Sequence, residues 1–285
     1  MSIQASSLKI YCLRLSVLFL AALPLAPVSA AEPPPLQMGI LPYLSSERLY
    51  ENFLPLKDYL ETQLKRRVVL NTAPNFKTYF QRAVRGDYDL YFIAPHLALL
   101  AEKDYGHKRV SRFSQELSGI VVVRHDSPVQ RIQNLRGRTV VSPDELALVA
   151  IMGEQMLKEN GLEPVKDYRL VRTLSHNNAL LTVQRRGADA ALVASAVFKQ
   201  LPAELTQELR ILTRTSTSPP VMAMANPRMT EAEYLSIKSI VLAFTRDGAG
   251  RKFFAATSFG DMQPITDTDM ARLRPYLKIT RERLK

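Results

Sequence analysis

Hydrophobic and polar residues follow each other along the chain in blocks that switch repeatedly between helical and strand periodicity. One block, from Asn75 to His96, has apolar residues at helical spacing, a break at Arg85-Gly86-Asp87, and then a continuous apolar run. The block from Ser175 to Ser195 repeats this order, with its break at Arg186-Gly187. Each block predicts a polar helix start, an amphipathic helix, a glycine stop and a buried strand.

Helices that alternate with wholly apolar strands are typical of parallel sheets covered by helices on both faces. Two copies of the unit therefore predict an α/β protein of two lobes, each a mostly parallel sheet flanked by helices, with a cleft between them. We assign residues 32–124 and 218–285 to the first lobe and residues 125–217 to the second. The hydroxyl-rich run Thr213–Ser218 is typical of a hinge rather than a core strand, so we expect two crossings between the lobes.

The start of the chain has the pattern of a secretory signal. Lys9 and Arg14 precede an apolar run at residues 15–25, and small residues follow it. We predict that residues 1–31 are a signal peptide cleaved near Ala30-Ala31, so that the mature protein is exported. An uncleaved membrane anchor is the alternative, but prolines interrupt a run that is shorter than the ~20 residues a spanning helix needs.

The composition of the mature chain limits how it can be stabilised and which partners it can bind. The one cysteine, Cys12, falls inside the predicted signal, so the mature chain has to be stabilised by its core and not by disulfides. The formal net charge is +11, and removal of Lys9 and Arg14 leaves 11 − 2 = +9. This surplus suits an anionic ligand. The positive charges are scattered and lack interleaved aromatic residues, so we predict no nucleic-acid partner.

Candidate ligand-binding residues lie where strands end and helices begin. In open parallel sheets a ligand binds beyond the carboxyl ends of the strands, where helix N-termini present free N–H groups. The residues that we predict at such positions are Tyr43, Asn75, His96, Ser142, Glu145, Ser175, His176, Asn177 and Ser195. Asn75, Ser175 and Asn177 are equally interpretable as ordinary helix N-caps, and His176 as an exposed turn residue.

Motifs of common catalytic and metal centres do not occur in the sequence. It has no His-Glu-x-x-His, no phosphate-binding glycine loop with lysine, and no Gly-x-Ser-x-Gly. The four histidines are far apart and have no paired carboxylates near them. We therefore predict a binding protein rather than an enzyme, with no metal and no cofactor.

Several strings of the mature chain resemble the periplasmic substrate-binding proteins of phosphate, phosphite and phosphonate import systems. They are Phe53–Glu61, Gly86–Leu90 with Ala94-Pro95, Val121–Pro128, Asn134–Gly137, Leu157–Pro164, Ser175-His176 and Gly187–Ala191. The resemblance implies a two-lobed clamshell of the type II class that delivers its ligand to an inner-membrane ABC permease. It also implies that His176 lies where members of the family carry a ligand-contacting histidine.

The chain departs from that family at the helix start after Pro143. Phosphonate binders carry a Ser-Thr-Ser run there that holds the oxyanion, whereas this chain has Glu145, Leu146 and Ala147. The carboxylates of Asp144 and Glu145 would repel an anion at that place. The ligand therefore stays open among phosphonate, phosphite, phosphate and another small anion.

The leading hypothesis is a monomeric periplasmic solute-binding protein that serves an ABC importer. A ligand-sensing input protein for a membrane histidine kinase would have the same architecture, and the sequence does not separate the two. An enzyme on the same scaffold is a third hypothesis, which the missing catalytic groups disfavour.

Overall fold

The computed structural model describes residues 33–200 and 202–285, so the predicted signal peptide lies outside the described residues. Pro34–Lys285 form one compact unit that contains two β-sheets. Within the described ranges, no helix combines the length and the apolar character needed to cross a bilayer.

Strands and helices alternate along most of the chain. The strands are β1 (Leu36–Ile40), β2 (Val68–Asn71), β3 (Leu90–Ile93), β4 (Lys108–Phe113), β5 (Leu117–Arg124), β6 (Thr139–Ser142), β7 (Arg169–Arg172), β8 (Ala190–Ala194), β9 (Leu209–Ser218), β10 (Met222–Ala225) and β11 (Met262–Gln263). The helices are α1 (Ser46–Leu64), α2 (Phe76–Arg85), α3 (Pro95–Tyr105), α4 (Leu148–Glu159), α5 (His176–Gln184), α6 (Ser195–Gln200), α7 (Ala203–Thr206), α8 (Glu231–Ala243), α9 (Gly248–Thr257), α10 (Asp267–Leu273) and α11 (Leu277–Leu284).

Each lobe is built on one of the two sheets, which confirms the predicted α/β class. The first sheet has the order β11-β4-β10-β3-β1-β2, and the second has the order β7-β6-β8-β5-β9. In the first sheet β1 pairs in parallel with β2 and β3, while β10 is antiparallel to β3 and β4. In the second, β6 is parallel to β7 and β8, while β5 is antiparallel to β8 and β9. Both sheets are therefore mixed rather than mostly parallel, because β10 in the first sheet and β5 in the second run against the strands on either side of them.

The crossings lie at residues 114–116 and 219–221, between strands of different sheets. This differs from the sequence-based division, which placed the strand Leu117–Arg124 in the first lobe. That strand is β5, and its apolar residues fill the interior of the second sheet between β8 and β9. The run Thr213–Ser218, predicted as a hinge, is the end of β9. An edge strand can expose hydroxyl groups to water on its free side, so this polar run is compatible with a strand.

The repeated unit is present in both sheets, as α2 with β3 and as α5 with β8. In each copy a side chain caps the helix: Asn75 Oδ1 accepts the Thr78 N–H at 2.7 Å, and Ser175 Oγ accepts the Asn178 N–H at 3.3 Å. Caps of this kind satisfy backbone donors that have no partner within the helix. The predicted helix starts are therefore confirmed.

The two copies also share a hydrogen bond that ties the strand to its parallel neighbour. The Asp89 carboxylate accepts the Gln37 N–H at 2.7 Å, and the Asp189 carboxylate accepts the Thr139 N–H at 2.9 Å. Asp89 and Asp189 lie 189 − 89 = 100 positions apart, the same offset as the caps Asn75 and Ser175. The duplication therefore extends to individual hydrogen bonds.

The helix ends differ between the copies. Gly86 follows α2 in the left-handed region, with φ 90°, as the predicted glycine stop requires. After α5 the left-handed residue is Arg186, with φ 62°, and Gly187 does not adopt a positive φ. In the second copy a non-glycine residue therefore adopts the left-handed conformation that ends the helix.

Candidate functional site

Two cavities lie between the lobes, and they differ in size and chemistry. The larger one, which we call the outer groove, has a volume of about 780 Å³ and is open to solvent. The smaller one, the inner chamber, has a volume of about 60 Å³. Sites for small molecules in proteins commonly measure about 300–1,000 Å³, so only the outer groove has the usual size.

Apolar groups from both lobes line the inner chamber. The first lobe contributes Leu41, Tyr43, Phe76, Ala94, Pro95, Val221 and Phe259, and the second contributes Leu117, Ala147, Leu148, Val149, His176, Ala194, Ala196 and Val197. An anion transferred to such surroundings without charged or hydrogen-bonding partners would lose its hydration at a large cost. The chamber is therefore unsuited to a free oxyanion.

Two side chains that line the chamber can ionise, His176 and Tyr43. His176 is buried, and its Nδ1 accepts the Ala194 N–H at 3.2 Å. Burial lowers the pKa of His176 to about 3, so the ring is neutral near pH 7. Because Nδ1 is the acceptor, the proton of the neutral ring is on Nε2. His176 can thus offer one N–H donor but no positive charge.

Tyr43 also lines the chamber. Its backbone carbonyl accepts the His176 N–H at 3.4 Å, which joins the first lobe to the start of α5 in the second. Burial raises the pKa of the Tyr43 phenol, so this side chain is also neutral. The structure therefore brings two of the predicted site residues together.

Polar and charged side chains line the outer groove, which runs between α2 of the first lobe and α5 of the second. They include two of the predicted residues, Asn75 and Glu145, and three cations, Lys77, Arg172 and Arg185. Arg172 is paired with Glu154 at 2.7 Å. Lys77 and Arg185 have no carboxylate partner among the described residues. The groove therefore has two positive charges that no acidic side chain neutralises through an ion pair.

The other predicted residues line neither cavity. His96 is fully buried at the start of α3, and burial lowers its pKa to about 3. The Ser142 hydroxyl accepts a hydrogen bond from Arg172 at 3.2 Å, and the Ser195 hydroxyl accepts one from Arg214 at 3.1 Å. Ser175 caps α5, and the buried amide oxygen of Asn177 has no hydrogen-bond partner within the described part of the chain. The predicted set is thus divided between the two cavities and positions that line neither of them.

Asp144 lines the outer groove, and Ala147 and Leu148, which follow it closely in the chain, line the inner chamber. One oxygen of its carboxylate accepts the Phe76 N–H at 3.0 Å, and the other accepts the Leu146 N–H at 2.9 Å. Phe76 is the first residue of α2 in the first lobe, whereas Asp144 follows β6 in the second. An acidic side chain of one lobe therefore occupies the helix start of the other.

Sequence reasoning missed the three cations of the groove. Arg172 ends β7 and Lys77 is in the first turn of α2, so the rule that selected strand ends and helix starts could have found both. Arg185 follows the last residue of α5 and reaches the groove from the far end of that helix. No local signal in the sequence points to Arg185.

Two lobes joined by two crossings, with cavities between them, define the type II class of solute-binding clamshells. The family model described as "ABC transporter, phosphonate, periplasmic substrate-binding protein" matches residues 38–270. The chain belongs to this family, which confirms the resemblance seen in the sequence. It is therefore a substrate-binding protein of the periplasmic ABC-transporter type.

Solved structures share this fold at low sequence identity. A binding-protein component of an ABC phosphonate transporter from Pseudomonas aeruginosa has a TM-score of 0.77 and 15% identity, covering 88% of this chain and 95% of that one. PhnD1 from Prochlorococcus marinus, in complex with methylphosphonate, has a TM-score of 0.77 and 16% identity, covering 87% and 97%. The alkanesulfonate-binding protein SsuA from Xanthomonas axonopodis, bound to MOPS, has a TM-score of 0.61 and 14% identity, covering 89% and 94%.

Proposed function

We propose that this protein captures a small anionic solute in the outer groove, as a monomer in the periplasm, and delivers it to an inner-membrane ABC permease. Export through a signal peptide at residues 1–31 is part of the proposal. The ligand class that we propose is a small organic acid or oxyanion, held by charge and by hydrogen bonds.

The observation that carries the proposal is the pair of cations in the groove. Lys77 and Arg185 belong to opposite lobes, and neither has a carboxylate partner among the described residues. A negative group bound between them would interact with both lobes at once. Amide and hydroxyl side chains beside them, from Asn75, Thr78 and Asn178, can donate further hydrogen bonds. This combination suits an anion that also has polar substituents. The carboxylates of Asp144 and Glu145 line the same groove and would repel such a ligand, so we place the anion between Lys77 and Arg185.

The inner chamber supports no such ligand. Its volume of about 60 Å³ and its apolar lining suit neither the size nor the hydration of a phosphonate. The hydroxyl groups that hold the oxyanion in related phosphonate binders correspond to Glu145, Leu146 and Ala147, and the last two are buried apolar residues. We therefore place the ligand outside the position that the family resemblance implies.

A thermal-shift screen tests the proposal. The solutes are phosphate, phosphite, methylphosphonate, an alkanesulfonate and a series of carboxylates, at constant ionic strength. A ligand that binds only the folded state stabilises it by ~2.7 kcal/mol at a hundredfold excess over its dissociation constant. We expect at least one anion to raise the melting temperature of the wild-type protein.

The position of the site is tested with the double variant Lys77→Gln and Arg185→Gln. We expect it to lose the shift, because both groove charges are removed. The matched control is Lys166→Gln with Arg169→Gln, two exposed cations outside the groove, which changes net charge equally. If the groove variant keeps the full shift while the protein remains folded, the proposed site is wrong.

A further inference from the structure

The two duplicated helices begin at the interface between the lobes, and in each the first amide is already bonded across that interface. The Phe76 N–H of α2 meets Asp144 of the second lobe at 3.0 Å. The His176 N–H of α5 meets the Tyr43 carbonyl of the first lobe at 3.4 Å. In a clamshell that closes around a solute, such amides are free to bind the solute. In this chain the opposite lobe supplies the acceptor.

Asp144 is suited to this role by charge and by position. Both carboxylate oxygens accept backbone N–H groups, one from each lobe, and the Asp144 carbonyl accepts the Ala147 N–H at 2.9 Å. Its backbone is thus fixed within the loop before α4. A negative group at the start of a helix interacts favourably with the helix dipole and the unpaired amides. Asp144 therefore provides the interaction that a bound anion would otherwise provide.

The start of α4 adds apolar contact to this charged one. Residues Leu146–Met152 are all buried, with exposures from 0% to 6%, although a helix packed on one lobe would leave one face in water. They belong to the same hydrophobic cluster as the core of the first lobe. Separation of the lobes would bring this apolar surface into water, which is unfavourable.

A second charged contact joins the first lobe to α4 and to the loop that precedes it. Arg283 on α11 of the first lobe is paired with Glu154 on α4 at 2.9 Å, and both side chains are mostly buried. Arg283 also donates to the Glu145 carbonyl. The loop of Asp144 is thus held to the first lobe by α2 and by α11.

We propose that Asp144 acts as a built-in anion, which occupies the start of α2 and keeps the two lobes closed when no solute is bound. The outer groove is open to solvent in this closed form, so a solute can reach it without separation of the lobes. The inference does not depend on which solute the groove takes, because it concerns the protein alone.

Hydrogen–deuterium exchange of the full mature protein, without added solute, tests this inference. In the wild type we expect amides at residues 76–79 and 146–152 to exchange slowly, at rates close to those of the central strands β3 and β8. In Asp144→Ala we expect exchange at both segments to be at least tenfold faster, with a larger radius of gyration in X-ray scattering. Rapid exchange of residues 146–152 in the wild type would overturn the proposal.

Two further variants make the result specific. Asp261→Ala removes an exposed carboxylate that makes no side-chain hydrogen bond in the described structure, and we expect wild-type exchange. Asp144→Asn keeps the shape of the side chain without its charge, which covers the case in which Asp144→Ala fails to fold. We expect intermediate exchange for Asp144→Asn. Wild-type exchange in both Asp144 variants would show that the carboxylate does not hold the lobes together.

Discussion

In the first copy of the repeated unit Tyr79 and Tyr88 stack on each other over Gly39, with ring centroids 5.1 Å apart. In the second copy the corresponding residues are Ala179 and Ala188, and the strand residue that corresponds to Gly39 is Val141. Two large rings over a glycine are thus replaced by two methyl groups over a valine. The helix caps and the strand aspartates make equivalent hydrogen bonds in both copies. The comparison therefore shows that hydrogen bonds and periodicity specify the unit, while side-chain volumes only need to be complementary.

The largest effect is expected when a ring of the first copy is replaced by the alanine of the second. Tyr79→Ala removes a fully buried ring and the hydrogen bond from its hydroxyl to the Phe92 carbonyl at 2.9 Å. We expect the free energy of unfolding to fall by about 3–5 kcal/mol. Urea unfolding followed by far-UV circular dichroism measures this loss. Tyr105→Ala, at a half-exposed tyrosine, should cost much less, and equal losses would contradict the comparison.

The next largest effect concerns the glycine under the rings. A Cβ on Gly39 would lie 2.6 Å from the Tyr88 ring, so Gly39→Val should destabilise the protein by about 1–3 kcal/mol through overpacking. Tyr88→Ala in the same chain removes the nearer clash and brings the site closer to the second unit, although the Tyr79 hydroxyl would still lie 2.8 Å from the new Cβ. We expect the double variant to be more stable than the sum of the two single losses predicts. Strict additivity of the unfolding free energies would show that the volumes are not coupled.

A smaller effect is expected from the hydrogen bond that both copies share. Asp89→Ala and Asp189→Ala each leave a strand N–H without its acceptor, which should cost about 1–2 kcal/mol. Chemical denaturation of both variants measures the two losses side by side. Asp58→Ala serves as the control, because that carboxylate only makes an exposed ion pair. A loss in one copy and none in the other would mean that the bond does not have the same role in both.

The smallest effect concerns the first helical residue, which is Phe76 in one copy and His176 in the other. Burial lowers the pKa of His176 to about 3, below its ordinary value of 6.5, so the unfolded state binds more protons between these values. Stability should therefore fall as the pH falls below 6.5. His176→Gln keeps an acceptor for the Ala194 N–H and removes the titration.

Between pH 6.5 and pH 5 we expect the free energy of unfolding to fall less in His176→Gln than in the wild type. The difference between the two losses should be on the order of 1 kcal/mol. Thermal melting across this pH range measures the difference. The matched control for the substitution itself is His125→Gln, at an exposed loop position. An unchanged pH dependence in His176→Gln would show that this ring does not titrate with unfolding.

Local pattern predicted the repeated unit well, because helix starts, helix periodicity and buried strands depend on near neighbours in the chain. Asn75 and Ser175 could be identified as helix caps for this reason. The position of β5 could not be predicted, since an apolar strand fits the interior of either sheet and only its pairing with β8 and β9 decides. The direction of strands within a sheet has the same dependence on distant partners.

The site was predicted less well, because the two lobes contribute separate residues to it. Tyr43 and His176 were selected from their places at a strand end and a helix start, and they do meet in the inner chamber. The bond from Asp144 to the start of α2 joins residues 68 positions apart. The sequence showed that a carboxylate lies where an anion is expected. Only the structure shows that this carboxylate accepts the Phe76 N–H.

The unequal share of aromatic residues has a practical result for spectroscopy. The chain contains no tryptophan, and between residues 117 and 218 its only tyrosine and phenylalanine are Tyr168 and Phe198. Tyrosine emission and near-ultraviolet dichroism will therefore report almost entirely on the first lobe. A transition that appears in the far ultraviolet but not in these aromatic signals identifies melting of the second lobe, so the two halves can be followed separately without any label.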